Sequence, residues 1–162
     1  MKVRASWIVA LACVPALLVG GTSALSASAA THPPTPHVFR FTFTLHRLGD
    51  SPAATIRCNA SVSLPAVSGT TMTGVGSIYC NFPMAALGLT VGLVKNGSVV
   101  ATSSGINYGK SYIVKEAKKA CTAPYRYHNW QVLANGNEAA PPGFSPPYVS
   151  FAIGSPVVSI LC

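Results

Sequence analysis

After residue 38 the chain alternates apolar and polar residues with a period of two, the signature of half-buried strands. Phe39, Phe41, Phe43 and Leu45 alternate with Arg40, Thr42, Thr44 and His46, and Gly49-Asp50-Ser51-Pro52 then reads as a turn. Ile56, Cys58, Ala60, Val62 and Leu64 form one face of the next strand, with Thr55, Arg57, Asn59, Ser61 and Ser63 on the other. Met72, Ile78, Cys80 and Phe82 continue on even positions, so a hairpin turning at Gly69 sets residue 58 opposite 80 and 60 opposite 78. Leu87, Leu89, Val91 and Leu93 predict a further strand, and Val99-Val100-Ala101 returns from it through Asn96-Gly97. Asn-Gly between apolar strands is a strong hairpin signal, because both residues of a type I′ turn need positive φ.

The pattern is weaker beyond this point. Ile106 to Val114 predicts a strand, and Lys115 to Ala120 one helical turn before Cys121. Tyr125 to Leu133 reads as a strand ended by Asn135-Gly136-Asn137, and Ala139 to Pro147 as a loop. Val149 to Cys162 supplies one or two strands broken at Gly154-Ser155-Pro156. About eight short strands separated by turn signals predict an all-β antiparallel β-sandwich, immunoglobulin-like in general architecture. With no internal repeat or linker, residues 38–162 form one domain.

The first 29 residues change the picture of where the chain works. Met1-Lys2-Val3-Arg4 is a basic start, Trp7 to Val19 is an uncharged apolar run, and Ala27-Ser28-Ala29 has the small-x-small cleavage pattern. The run is too short for a membrane span, which takes about 20 residues. Residues 1–29 therefore read as a secretory signal peptide cleaved after Ala29 or Ala30, and 30–37 as a Pro-rich extended N-terminus. The expected location is extracellular, with no transmembrane segment in the mature chain.

Cys58, Cys80, Cys121 and Cys162 remain after cleavage, an even count that predicts two disulfides in an exported chain. Three connectivities are open. The shared even-numbered face favours Cys58–Cys80, and the fold-back about Pro141-Pro142 favours Cys121–Cys162. Zinc is disfavoured by the lack of a CxxC pair and of His at ligand spacing, so neither a metal site nor a cofactor is expected.

Only 9% of residues are charged, which excludes coiled coils and long amphipathic helices. In the mature chain nine Lys and Arg stand against Asp50, Glu116 and Glu138, leaving a formal +6. That balance favours anionic partners without specifying one. An anionic wall polymer, a polysaccharide or an extracellular protein are the partners it admits, while no motif for specific nucleic-acid binding occurs. Oligomeric state is not encoded in any recognisable pattern.

Catalytic chemistry has little to draw on. Paired-carboxylate hydrolysis needs two acids at one site, and each of the three acids sits beside turn or charged residues. Asp50 is the one aspartate for a Ser-His-Asp arrangement, and no Gly-x-Ser-x-Gly elbow is present. His128, within Tyr125-Arg126-Tyr127-His128-Asn129-Trp130, is the best-placed histidine for the alternative function, a small secreted hydrolase using His128 and a serine. Binding is better supplied. Tyr125, Tyr127 and Trp130, with Arg126 and His128, combine flat rings and polar edges that suit sugars or a protein partner. The competing reading puts Trp130 in the core. Lys110, Lys115, Lys118 and Lys119 with Arg126 form either an anion-binding patch or a solvated face.

Gly76-Ser77-Ile78-Tyr79-Cys80, the hairpin Val94-Lys95-Asn96-Gly97-Ser98-Val99-Val100-Ala101, and Trp130 followed by Pro141-Pro142-Gly143-Phe144-Ser145-Pro146-Pro147 resemble small secreted proteins of high-GC Gram-positive (actinobacterial) bacteria. The resemblance spans roughly residues 55–162 and is one of layout. It implies a secreted four-cysteine β-domain without assigned activity. The sequence reading is thus a secreted, non-catalytic β-sandwich that binds an extracellular surface, polymer or protein.

Overall fold

The computed structural model describes residues 39–49 and 54–162. The leader, the Pro-rich N-terminus and the turn at Asp50 lie outside the described residues. The strands are β1 (Phe39–Arg47), β2 (Thr55–Val62), β3 (Ala66–Ser68), β4 (Thr71–Lys95), β5 (Ser98–Ala120), β6 (Tyr127–Ala139), β7 (Phe144–Ser145), β8 (Tyr148–Gly154) and β9 (Val158–Leu161). All pairings are antiparallel, and two disulfides join Cys58 to Cys80 and Cys121 to Cys162. The expected all-β class and the expected cysteine pairing are both present.

Alternation produces the early strands as expected. Ile56, Cys58, Ala60 and Val62 are buried along β2, and Phe43 and Leu45 lie opposite Cys58 and Ile56 on β1. Cys58 faces Cys80 and Ala60 faces Ile78, so the disulfide follows from the strand register. Gly69 takes φ +60° in the β3–β4 turn, and Asn96 and Gly97 take +50° and +83° in the β4–β5 turn.

The centre of the fold is the β4–β5 ribbon. The sequence pattern suggests separate strands at 72–82 and 87–93, but the chain runs through both as one 25-residue β4. Its first half pairs with β2 and its second half with β6, while β5 follows it along nearly the whole length. The register jumps between Tyr79↔Tyr112 and Met84↔Lys110. Pro83, which has no N–H to give to a ladder, lies within that interruption. Here the ribbon bends and its second half doubles back over its first. The close approach requires glycine: a Cβ at Gly74 would lie 2.6 Å from Val132 and 3.0 Å from Leu93, and one at Gly76 would lie 2.6 Å from Val91. One continuous sheet thus supplies two facing layers, with Leu45, Ile56, Met72, Ile78, Leu93, Ile113 and Trp130 in the core between them.

The structure corrects further local expectations, among them the loop at 139–147, which contains the short strand β7 paired with β1. Lys115 to Ala120 is not a helical turn but the end of β5, paired residue by residue with Gly76 back to Thr71. Ladder bonds to a distant strand outweigh the modest local helix preference of that stretch. Asn135-Gly136-Asn137 does not end β6, which starts at Tyr127 and runs to Ala139. Gly136 serves packing there, because a Cβ would meet the Phe151 ring. On its far side β6 is covered by β8 and β9, and Ser155 patches the gap between them. Ser155 N–H donates to Val132 O at 2.9 Å, and Val132 N–H donates to Ser155 Oγ at 3.0 Å.

Candidate binding surface

The aromatic segment 125–130 and the lysines of 110–119 are the two candidates that the sequence supplies, and the fold distributes each over different surfaces. Trp130 turns inward from β6 and is only 1% exposed, with Lys95 Nζ 5.5 Å from its ring centroid. Tyr127 and Tyr125 are exposed. Arg126 gives its carbonyl oxygen to Cys162 N–H at 3.0 Å. Of these side chains, the tryptophan belongs to the core and the tyrosines to the surface.

His128 is held by the β4–β5 turn. Asn96 Oδ1 accepts from Asn129 N–H at 3.0 Å, which fixes the orientation of the amide, so Asn96 Nδ2 faces His128 Nδ1 at 3.2 Å and donates to it. An accepting Nδ1 is unprotonated. Partial desolvation, then the positive charges of Lys95 and Arg126, lower the His128 pKa below the ordinary imidazole value. The neutral ring then carries its proton on Nε2. Among the described residues no serine hydroxyl bonds to this histidine, and Asp50 lies outside them.

The lysines divide by strand parity. Lys118 faces outward and pairs with Glu116 at 2.9 Å. Lys115 lies on the inward face of β5 with Ile113 and Ala117, and the end of its side chain, Cε and Nζ, folds against Gly105 beyond the bend. Lys110 and Lys119 are exposed on opposite faces of β5. They do not make one cationic face.

A different surface has the shape of a site. The outward face of β5, β4, β6 and β8 holds a groove of about 720 Å³, within the usual range for ligand pockets. Its floor is small. Register places Tyr108, Ala86, Ala139 and Tyr148 in one row across the four strands, and Ile106, Gly88, Asn137 and Ser150 in the next. Tyr108 and Tyr148 stand at the two ends, 71% and 76% exposed. Three strand spacings separate them, about 14 Å. Ser150 Oγ donates to Asn137 Oδ1 at 2.9 Å, leaving the Asn137 NH2 group available, and Thr90 Oγ1 donates to Ser104 Oγ at 3.0 Å.

None of these groove residues was a sequence candidate. They come from four strands and carry no local motif; regular outward parity is their one common signal. Glu138, which the sequence sets beside turn residues, is also placed differently by the fold. It lies within β6, 2% exposed, with its backbone at the groove and its carboxyl on the opposite, inward face beside Gly136 and Phe151. Neither carboxyl oxygen has a hydrogen-bond partner of good geometry. Burial raises its pKa to about 7, offset in part by its own backbone N–H.

No known family matches the chain, no curated protein matches it, and no solved structure matches its fold.

Proposed function

We propose that this chain is exported through a cleaved leader and works outside the cell as a non-catalytic binding protein, with the groove across β5, β4, β6 and β8 as its binding site. The groove carries this reading: a concave floor of small side chains between two exposed tyrosine rings, with amide and hydroxyl groups between them. Such a surface offers flat apolar contact and polar orientation together. Two disulfides suit an oxidising compartment. Among the described residues no helix is long and apolar enough to cross a membrane.

Two measurements test the proposal. N-terminal sequencing of the exported protein is expected to begin at Ala30 or Thr31, and an intact Met1 start would overturn the leader. Retention of the protein on the producing cell's washed envelope is expected for the native chain and lost in the double variant Tyr108→Ala, Tyr148→Ala. Equal retention of the two would remove the groove from consideration.

A further inference from the structure

Resting on that reading of the groove, we infer that its ligand is an uncharged glycan chain lying across the strands, stacked on Tyr108 at one end and on Tyr148 at the other. Three properties of the lining select this chemistry. The first is charge. The whole chain carries a formal +8, yet no Lys or Arg lines the groove, and Glu138, its one acid, turns its carboxyl into the core. An anionic polymer would find no cationic side chain in the lining itself.

The second property is the kind of polar group. Asn135, Asn137, Ser104, Thr90 and Ser150 present neutral amides and hydroxyls. Ser150 holds the Asn137 oxygen, so the amide is oriented with its NH2 group available to the groove. Asn135 has no hydrogen-bond partner for its side chain among the described residues. Oriented neutral donors and acceptors match sugar hydroxyls, which both donate and accept.

The third is geometry. The two tyrosines sit three strand spacings apart on one cross-strand row, about 14 Å between their backbones, the span of a short oligosaccharide rather than of one sugar. Ala86 and Ala139 between them leave space for the chain. A peptide adding as a strand would extend the sheet outward from the β5 or β8 edge rather than lie across the groove floor, where β4 and β6 have ladder partners on both sides. A lipid-like ligand would need an enclosed apolar cavity, and this one is open with amides in its floor.

The test is affinity electrophoresis of the native, disulfide-intact protein through gels containing soluble neutral glycans (glucan, galactomannan, arabinogalactan, xylan), with polygalacturonate as the acidic comparison. At least one neutral glycan is expected to retard the protein, equally at low salt and at about 0.5 M NaCl, where exposed charges are strongly screened. Tyr108→Ala and Tyr148→Ala are each expected to weaken binding about tenfold with the melting temperature unchanged, since both rings are exposed. Lys115→Gln, Lys118→Gln and Lys119→Gln together are expected to leave it intact. Retardation by polygalacturonate alone, abolished by salt, would overturn the inference, as would tyrosine variants that bind like the native chain. Absence of retardation by every neutral glycan, with envelope retention still dependent on the two tyrosines, would remove the glycan and keep the groove. Retention indifferent to both tyrosines would remove both.

Discussion

Gly136 and Glu138 lie two residues apart on the inward face of β6, and a Cβ at Gly136 would stand 2.6 Å from Glu138 Oε1 and closer still to the Phe151 ring. The missing side chain makes room for an aromatic ring and a buried carboxyl under the groove floor. Gly136→Ala is therefore expected to destabilise the domain by about 1–3 kcal/mol, the usual cost of overpacking. Urea denaturation checks this: the midpoint should fall with little change in slope. An unchanged midpoint would show that Phe151 moves aside freely.

Glu138 also makes stability depend on pH. Its pKa is about 7 in the folded protein against 4.5 as its reference value, so the folded state holds the proton more tightly. That contribution is complete below the unfolded pKa and is lost as pH rises through the folded one. Stability should thus fall by about 3 kcal/mol between roughly pH 4.5 and 8 from this group. His128, whose pKa is lowered, acts in the opposite sense, since its neutral folded form gains stability as pH rises toward the unfolded value. Comparing urea midpoints of the native chain and Glu138→Gln across this range isolates the carboxyl. The variant should lose the downward trend.

Trp130 is the largest of the fully buried side chains. Trp130→Ala is expected to cost about 3–5 kcal/mol, measured by thermal or urea unfolding. Trp130→Phe should cost less, because the indole Nε1 is buried without a hydrogen-bond partner and its removal breaks no bond. A near-neutral Trp130→Ala would return this residue to the list of surface contacts.

The disulfides close segments of 22 and 41 residues. Chain entropy assigns them about 3 and about 4 kcal/mol. Replacing Cys121 and Cys162 together by Ala should therefore lower stability somewhat more than replacing Cys58 and Cys80, as read from urea midpoints of the two double variants. The reverse order would mean that the Cys58–Cys80 bridge supports the ribbon beyond its loop-closing effect.

The sequence by itself determined those features whose physics is local. Period-two alternation sets the inward faces of β1 and β2, because successive side chains in a strand point to opposite sides. Gly69 and Asn96-Gly97 specify their turns through positive φ, and the common parity of Cys58 and Cys80 settles their partnership once the hairpin forms. Tertiary structure alone decided the rest. Lys115–Ala120 is a strand because Thr71–Gly76 pairs with it, a contact invisible to local propensity. Trp130 is core, and Glu138 is buried, because the β4–β5 ribbon doubles over at Pro83 and stacks one half-sheet on the other. The groove has no sequence signature because Tyr108, Ala86, Ala139 and Tyr148 are far apart in the chain. They become neighbours only through hydrogen-bond register, which depends on every pairing across four strands at once.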